Sequence, residues 1–359
     1  MRKLVTIKKV DSIHEIPGAD FIEACTIGGW TCITKKGEFQ VGDKGLYFEI
    51  DSWIPATDKR FEFLGKTKLY KNREGWRIRT MKLRGVISQG LLLPLSNFPE
   101  INTSKKDQAE VLKVEKWEQE EATSNGGLKS GNSEGKFPQF IPKTDQERLQ
   151  NLPHYFKMYS EEEFEETLKL DGSSMTCYKM EINLPWWKQV INYAIPGLFK
   201  DAKFGVCSRN LELKRPKDKQ SKSNFWEAAI KYKIEEKLPV GYAIQGELIA
   251  PNIQSNHEKV NEVEYYIFDI FDIDLQRYLT PNERHKVMSD ILVDIPHVPI
   301  VNSNVKIFQE CDSYDDFQER VTGESMNKET ISEGRVYKST TTPGLSFKLI
   351  SNKYLLKHE

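Results

Sequence analysis

The sequence predicts an α+β protein with two domains: a β-barrel at the N-terminus and a larger domain that mixes strands with helices. The first observation is length, because the chain has 359 residues and a folded domain usually takes roughly 100–200. The second is that short strands separated by turns fill the chain up to about residue 100. The third is that longer apolar strands and capped helices follow residue 137.

The first 102 residues are predicted to form the barrel. Residues 4–7 and 76–83 alternate apolar with polar or basic side chains, as half-buried strands do, and the apolar, aromatic residues 45–50 predict a further strand. Residues 59–84 contain ten lysines and arginines against two glutamates. This excess indicates either a polyanion-binding face or strand edges that are guarded by charge. The OB-fold is the small barrel that most often combines this size with nucleic-acid binding, so residues 1–102 are predicted to be an OB-fold nucleic-acid-binding domain.

Residues 103–136 are rich in glycine, serine and charge, which predicts a flexible linker or an exposed loop. The second domain is predicted at 137–359, with strands at Met175–Glu181, Phe204–Cys207, Gly241–Leu248, Glu264–Asp272 and Leu345–Ile350. Thr280 and Glu283 form a capping box that predicts a helix through Val293. Ser223 is the predicted N-cap of another helix, which would carry Trp226, Ile230 and Ile234 on one side.

The sequence argues against several classes of protein. Its apolar runs are far shorter than the roughly 18 residues that a membrane span needs, and its N-terminus lacks the pattern of a signal peptide. The five cysteines include no Cys-x-x-Cys pair, which argues against a disulfide framework and a zinc ribbon. We therefore expect a cytoplasmic or nuclear protein that is neither secreted nor membrane-bound. The six histidines are dispersed, and none is assigned to the site.

Six short motifs carry polar residues that suit nucleotide chemistry. The first, Lys169-Leu170-Asp171-Gly172, places an amine at a strand end and a carboxylate two residues later on the same side. The other five follow in the order Ser208-Arg209-Asn210, Gly246-Glu247, Tyr266-Ile267-Phe268-Asp269, Glu333-Gly334-Arg335-Val336-Tyr337-Lys338 and Ser346-Phe347-Lys348-Leu349-Ile350. Each alone is explained as well by a turn, a strand end or a core position. Their common order is the specific signal.

In this order the motifs resemble those of the covalent nucleotidyltransferase superfamily, which comprises DNA ligases, RNA ligases and mRNA capping enzymes. The resemblance covers residues 144–353. Only 11 residues follow Lys348 and the barrel precedes the motifs, an arrangement similar to that of the ATP-dependent RNA ligases of the Deinococcus and Naegleria type. The resemblance implies that 137–359 is an ATP-grasp-like nucleotidyltransferase domain, built from antiparallel sheets with flanking helices.

The resemblance also implies roles for the motif residues. Lys169 is the expected catalytic nucleophile, and Asp171, Glu247 and Glu333 are the expected metal ligands, with a ribose hydroxyl as the alternative partner of Glu247. The expected nucleotide-binding residues are Arg148, Thr167, Leu168, Arg209, Glu247, Phe268, Lys338 and Lys348, of which Phe268 would stack on adenine. Ile350 stands where the last motif has a second lysine, for which Lys353 is a candidate substitute. Positive charge from Lys338, Lys348 and metal, with partial desolvation, is expected to lower the pKa of Lys169 so that its amine can attack.

The implied function is an ATP-dependent RNA ligase that joins 3′-hydroxyl and 5′-phosphate ends through lysyl-AMP and an adenylylated 5′ end. Mg²⁺ or Mn²⁺ is the expected metal. A nicked duplex of RNA or RNA/DNA, with RNA on the 3′-hydroxyl side, is the expected partner of a monomeric enzyme. A DNA ligase or a capping-type nucleotidyltransferase is the alternative within the superfamily, and a non-catalytic nucleic-acid-binding protein is the alternative outside it.

Overall fold

The N-terminal part of the chain is a barrel of short antiparallel strands in the computed structural model, which describes residues 2–118, 133–182, 184–194, 201–217 and 223–358. The strands are β1 (Val5–Lys9), β2 (Ser12–Glu15), β3 (Ile22–Ile27), β4 (Trp30–Lys35), β5 (Lys44–Phe48), β6 (Ser52–Pro55), β7 (Lys68–Tyr70), β8 (Arg73–Arg77), β9 (Thr80–Leu83), β10 (Val86–Gln89) and β11 (Leu91–Pro94). They pair in the orders β1-β5-β11, β2-β3-β4, β6-β8-β7 and β10-β9. Short 3₁₀ helices span Lys59–Leu64, Leu95–Asn97 and, beyond the barrel, Leu149–Asn151.

Two of the three predicted barrel strands are confirmed, since residues 4–7 and 45–50 correspond to β1 and β5. The third prediction, one strand over 76–83, is wrong because the chain breaks into β8 and β9. Among the described strands, β9 pairs with β10 alone, and its apolar Met81 and Leu83 are exposed. A two-stranded ribbon has no second layer to cover its outer face, which explains why the alternation fails there.

The described parts of the predicted linker, residues 103–118 and 133–136, are packed or paired. Leu112 and Val114 lie in the barrel core, and β12 (Glu115–Lys116) extends the sheet at β6. At the other end, β13 (Ser133–Lys136) pairs with a strand of the second domain. The most glycine-rich and serine-rich stretch, 119–132, lies outside the described residues, and the boundaries at 102 and 136 stay predictions.

The second domain consists of two antiparallel sheets with helices around them. Its further strands are β14 (Phe164–Lys169), β15 (Ser173–Glu181), β16 (Ala202–Cys207), β17 (Leu211–Leu213), β18 (Tyr242–Ile249), β19 (Glu264–Asp272), β20 (Arg277–Tyr278), β21 (Ile300–Val305), β22 (Gly334–Ser339) and β23 (Ser346–Ile350). One sheet has the order β13-β17-β16-β15-β18-β19-β20 and the other β21-β14-β22-β23. The predicted strands are confirmed as β15, β16, β18, β19 and β23, and the predicted fold class is confirmed with them.

The described helices are α1 (Tyr155–Met158), α2 (Trp186–Ala194), α3 (Asn224–Lys231), α4 (Ile234–Lys237), α5 (Pro281–Asp290), α6 (Ile307–Glu310), α7 (Tyr314–Val321) and α8 (Asn352–His358). The capping box of Thr280 and Glu283 is present, although α5 ends three residues before Val293. The predicted shared side of Trp226, Ile230 and Ile234 is wrong. Lys233 has a left-handed φ of 52° that separates α3 from α4, and Ile230 is 62% exposed. Among the described helices, none combines the length and the apolar character that crossing a bilayer requires.

Helix α8 connects the second domain to the barrel. Tyr354 and Leu355 pack in a buried cluster with Trp30 and Tyr47 of the barrel. Beside them the Trp30 indole donates a hydrogen bond of 2.9 Å to Asn151 Oδ1. Because the two domains share this core, the barrel is held next to the cleft between the two sheets.

Candidate active site

A cleft of about 910 Å³ lies between the two sheets of the second domain, and the barrel contributes one wall. Its lining includes every residue that the sequence analysis assigned to the site: Arg148, Thr167, Leu168, Lys169, Asp171, Arg209, Glu247, Phe268, Glu333, Lys338 and Lys348. The barrel adds Arg2, Asp51, Lys68 and Arg77. A cleft of this size and polar lining suits a nucleotide, since ligand sites usually measure about 300–1,000 Å³.

Lys169 is the last residue of β14 and faces three carboxylates, Asp171, Glu247 and Glu333, which we call the carboxylate cluster. Its Nζ lies 2.7 Å from Glu333 Oε2. Asp171 accepts a hydrogen bond of 2.7 Å from the Tyr354 hydroxyl, so helix α8 orients it. One cation therefore faces three acids in a partly enclosed place, an imbalance that favours a bound cation.

Burial and the neighbouring charges shift the pKa values of Glu247, Glu333 and Lys169. Burial raises the pKa of Glu247 to about 8, and the charges of Glu333 and Asp171 add to the effect. Burial also raises the pKa of Glu333. Burial lowers the pKa of Lys169, but attraction to Glu333, Glu247 and Asp171 outweighs it and the net pKa is raised. The expected lowering is therefore wrong for the free protein, because the carboxylates stabilise the protonated amine.

Two motif glycines are explained by close packing around the carboxylate cluster. A Cβ at Gly172 would lie 2.5 Å from the Leu248 carbonyl oxygen and 3.0 Å from Glu247 Cγ. Gly334 has a φ of +158°, and a Cβ there would lie 2.1 Å from the Leu349 carbonyl oxygen. Only glycine fits at either position, so the Asp-Gly and Glu-Gly pairs place their acids directly against neighbouring strands.

Phe268 projects into the cleft from a β-bulge. In the β18–β19 pairing, Gln245 is opposite Asp269 and Gly246 is opposite Ile267, which leaves Phe268 as the extra residue. Lys338 Nζ lies 5.3 Å from the Phe268 ring centroid and 2.8 Å from Asp269 Oδ1. Phe268 and Leu168 belong to one apolar cluster. This end of the cleft thus offers a flat apolar surface with one amine beside it.

The opposite end of the cleft is cationic. Asp145 Oδ1 lies 3.1 Å from Lys348 Nζ, and its Oδ2 lies 3.5 Å from Lys116 Nζ and 3.6 Å from Arg209 Nη2. We call Lys116, Arg209 and Lys348 the cation cluster. Burial lowers the pKa of Lys348 to about 8, and Asp145 opposes that shift. Glu118 also lies 3.4 Å from Lys116 and 3.7 Å from Arg209. Three cations around two carboxylates leave an excess of one positive charge, which suits phosphate groups.

Arg148 and Thr167 line the cleft but are held by other parts of the protein. Arg148 Nη2 lies 3.7 Å from Asp51 Oδ2 of the barrel. Among the described residues, the buried Nε and Nη1 of Arg148 have no hydrogen-bond partner. Thr167 Oγ1 donates a hydrogen bond of 3.3 Å to the Val336 carbonyl. Arg148 therefore retains donors for a ligand, whereas the Thr167 hydroxyl is already used.

Family models identify both parts of the chain. The model described as RNA ligase matches residues 162–354, and a model described as an OB-fold domain matches residues 4–95. The first covers more than half of the chain. The chain belongs to the RNA ligase family. The predicted OB-fold is confirmed by the second match, and the predicted enzyme class by the first.

Solved structures of a similar RNA ligase support the same family assignment. Naegleria gruberi RNA ligase with pyrophosphate is 40% identical, with a TM-score of 0.85 over 100% of this chain and 99% of that chain. A lysine-to-alanine variant of the Naegleria enzyme with ATP and manganese is 39% identical, with a TM-score of 0.85 over 99% of both chains. A lysine-to-methionine variant with AMP and manganese has a TM-score of 0.86 at 39% identity over 99% of both chains. A comparison with curated protein sequences gave no match.

The sequence analysis missed several residues that line this ligase's cleft, among them Lys116, Asp145 and Tyr354. Lys116 and Tyr354 lie in no motif and reach the cleft only through β12 and α8. Asp145 could have been noticed, since it lies in the 144–148 stretch that the resemblance already included. Lys353, the candidate substitute in the last motif, is exposed on α8 and is not among the residues that line the cleft.

The basic stretch 59–84 of the ligase is divided between internal pairing and the cleft. Five of its ten cations pair with carboxylates, namely Lys59, Arg60, Lys71, Arg73 and Arg77. Lys68 and Arg77 also line the cleft. Both explanations of the stretch therefore have local support, and its role in nucleic-acid binding is a proposal.

Proposed function

We propose that the protein is an ATP-dependent RNA ligase that seals nicks through a covalent AMP on Lys169. The observation that carries this proposal is that the Lys169 amine, the carboxylate cluster and the cation cluster line one cleft, with Lys169 in direct contact with Glu333. A nucleophile with acids on one side and phosphate-binding cations on the other is what nucleotidyl transfer from a triphosphate needs.

In the first step the Lys169 nitrogen attacks the α-phosphorus of ATP. A nitrogen–phosphorus bond forms, the bond to the bridging oxygen breaks, and pyrophosphate leaves. The amine must first lose a proton, and Glu333 Oε2, 2.7 Å away, is placed to hold it. Lys348 and Arg209 lie where they can neutralise the charge on the phosphates as the leaving group departs.

The carboxylate cluster fits a divalent metal. Burial, with the charges of Glu333 and Asp171, raises the pKa of Glu247 to about 8, so a cation beside these acids would be stabilising, and oxygen ligands are those that Mg²⁺ and Mn²⁺ prefer. Asp171, Glu247 and Glu333 would hold the ion, directly or through water, with a ribose hydroxyl as the alternative partner of Glu247. The chemistry such an ion supplies is neutralisation of acidic charge, which lowers the pKa of Lys169, and stabilisation of charge at the α-phosphate.

Spacing in the Naegleria enzyme supports these roles. The substitutions named for it include a lysine, an aspartate two positions later and a glutamate 57 positions after the lysine. Here Asp171 is two positions and Glu247 is 78 positions after Lys169. The same residue types occur in the same order, with about 20 more residues between the two halves of the site in this chain.

The apolar end of the cleft is the proposed adenine site. Phe268 offers a ring face for stacking, and Leu168 lies in the same cluster. The backbone at Thr167 and Leu168 is the proposed source of polar contacts with the base, because the Thr167 hydroxyl bonds to Val336. Arg148, with two buried donor atoms that lack a partner among the described residues, is the proposed contact to ribose or phosphate.

In the remaining steps AMP passes to a 5′-phosphate and a 3′-hydroxyl then displaces it. We propose a nicked duplex with RNA on the 3′-hydroxyl side as the substrate of a monomeric enzyme, with the barrel holding the duplex beside the cleft. Lys68 and Arg77 of the barrel support this, because they extend the positive charge from the cleft onto the barrel. We also propose a reducing compartment, cytoplasm or nucleus, since all five cysteines are free and buried.

Transfer of label from α-labelled ATP to the protein tests the first step. With Mg²⁺ or Mn²⁺ the denatured 41.6 kDa band is expected to carry label, and Lys169→Ala should carry none. Lys353→Ala is the matched control, because Lys353 is an exposed lysine outside the cleft lining. Label in Lys169→Ala, or transfer from GTP in preference to ATP, would contradict the proposal.

Substrate choice needs a separate measurement. Sealing should be compared on nicked duplexes that differ only in having RNA or DNA at the 3′-hydroxyl terminus. We expect sealing of the RNA terminus to be at least tenfold faster. Equal rates on both would leave the lysyl-AMP chemistry intact and would overturn the proposed RNA preference, making a DNA ligase the better description.

A further inference from the structure

A second group of potential metal ligands lies outside the cleft lining. It consists of Glu165 on β14, His285 on α5 and His297 in the loop that precedes β21, and their ligand atoms all lie within 4.8 Å of one another. Glu165 is four residues before Lys169 on the same strand, about 13 Å away at the usual rise per residue. The group is therefore separate from the carboxylate cluster.

One of the two histidines, His297, is oriented as metal-binding histidines usually are. Its Nδ1 lies 2.5 Å from the Val298 carbonyl oxygen, and its buried Nε2 has no hydrogen-bond partner among the described residues. A ring nitrogen fixed by a backbone carbonyl, with the other nitrogen left for the ion, is the usual arrangement of an imidazole ligand. His285 brings its Nε2 to 2.5 Å from Glu165 Oε2.

The two oxygens of Glu165 have different partners. Arg284 hydrogen-bonds Oε1, whereas Oε2 contacts His285 Nε2, the contact that a bound ion would replace. The charge of Arg284 is offset by Asp269, 3.7 Å away, and Asp269 also pairs with Lys338 at 2.8 Å. The two buried cations are thus matched by the two buried acids, Glu165 and Asp269, before any ion is added.

We propose that Glu165, His285 and His297 form a second metal site that binds Zn²⁺. Two imidazole nitrogens and one carboxylate oxygen are a common ligand set for zinc, and water completes the coordination. Ligands of a tetrahedral zinc stand about 3.3 Å apart, given bonds of about 2.0 Å. To reach that geometry, the His297 ring would move toward the other two ligands. The distance between Glu165 Oε2 and His285 Nε2 would increase by less than about 1 Å. The His285 side chain, 36% exposed, provides both the freedom to move and the path for entry.

The bound ion would connect α5 and the loop at His297 to β14, the strand that ends in Lys169. It would therefore stabilise the wall behind the nucleophile without touching the nucleotide. This role does not depend on the proposed ligase activity, because it can be measured without ATP or RNA.

Equilibrium dialysis of the full-length protein against Zn²⁺ tests the proposal. The comparison is between the unmodified protein, His285→Ala, His297→Gln, and the control His154→Ala, which removes an exposed histidine outside the group. The unmodified protein and the control are expected to bind one zinc equivalent more than either variant of the group. Co²⁺ in place of zinc should give visible absorption of a four- or five-coordinate site in the same two proteins only.

A thermal melt distinguishes loss of the site from loss of the fold. Zn²⁺ should raise the Tm of the unmodified protein and of His154→Ala by more than it raises the Tm of folded His285→Ala, in which only the carboxylate cluster can still bind the ion. His285 is the cleaner position because its side chain is partly exposed, so its removal should not prevent folding. No zinc equivalent beyond that of the variants would overturn the proposal. Zinc binding that is lost in Asp171→Asn but kept in His285→Ala would assign it to the carboxylate cluster and would overturn the proposal equally.

Discussion

The carboxylate cluster and the cation cluster carry opposite excess charge. The first places three acids around one cation, Lys169, whereas the second places three cations around two acids, Asp145 and Glu118. Neither cluster is neutral by itself, although the chain carries a net charge of only −1. Lys348 connects the two clusters, since it pairs with Asp145 and its charge also acts on Glu333.

The difference shows how one cleft can accept both a metal and a polyphosphate. Excess negative charge at one end suits a divalent cation, and excess positive charge at the other suits the phosphates. The three acids stabilise the protonated amine of Lys169. The amine therefore loses its proton readily only when those acids bind another cation. The clusters thus explain why nucleotide and metal would be needed together.

The largest expected effect comes from Glu333→Gln. The substitution removes the charge that lies 2.7 Å from the Lys169 amine and one of the proposed metal ligands. We expect self-adenylylation to slow by roughly 10²–10³-fold, as for other losses of a transition-state charge contact. Label transfer measured over time is the readout.

Glu329→Gln is the control for Glu333→Gln, because Glu329 is an exposed glutamate that pairs with Lys259 away from the cleft. It should keep the full rate. A rate within a few-fold of normal for Glu333→Gln would mean that the carboxylate cluster does not act as a unit.

Lys348→Met tests the opposite cluster. Methionine keeps much of the lysine stem but removes the charge that faces Asp145 and the proposed phosphates. The expected loss is about 10²-fold in kcat/KM for ATP. Lys353→Met provides the comparison on the same C-terminal segment, and an equal loss in both variants would point to a general structural effect.

The sequence predicted the acids and the nucleophile better than it predicted what surrounds them. The motifs contain both the reactive residues and the glycines that close strand packing requires, which makes them recognisable in the sequence. This holds for the motifs of Lys169, Asp171, Glu247 and Glu333. Lys116 and Tyr354 carry no such signal, because they reach the cleft through the pairing of β12 and the packing of α8.

Elements without a strong local signal were predicted less well. The break between α3 and α4 occurs at Lys233, which has a left-handed φ. Lysine rarely adopts this conformation, so the residue type gives no signal that the helix stops there. The predicted direction of the pKa shift at Lys169 was wrong for a related reason. Its direction depends on how many acids the fold gathers around one amine, which spacing along the chain does not reveal.

A smaller effect is expected in the pH dependence of stability. Glu247 has a pKa of about 8 in the folded protein against 4.5 as its ordinary value. Between these two values the folded state holds a proton that the unfolded state has lost, so stability falls as pH rises. The slope from this group is at most about 1.4 kcal/mol per pH unit.

Urea unfolding in EDTA between pH 5 and 8 measures this slope. Glu247→Gln should flatten it, because glutamine does not titrate. Mn²⁺ should flatten it as well, since a bound cation stabilises the ionised acids. A slope that is identical in Glu247→Gln and the unmodified protein would show that the carboxylate cluster is not the source.

The smallest expected effect is that of Asp145→Asn, and it tests whether the acid that contacts all three cations of the cation cluster competes with phosphate. Without its charge, Lys116, Arg209 and Lys348 should attract the triphosphate more strongly, so the KM for ATP should fall by about 3- to 10-fold at low salt, with little change in kcat. The effect should shrink as ionic strength rises, because part of this cluster is exposed to solvent. A higher KM would instead mean that Asp145 holds the three cations in position for phosphate rather than competing with it.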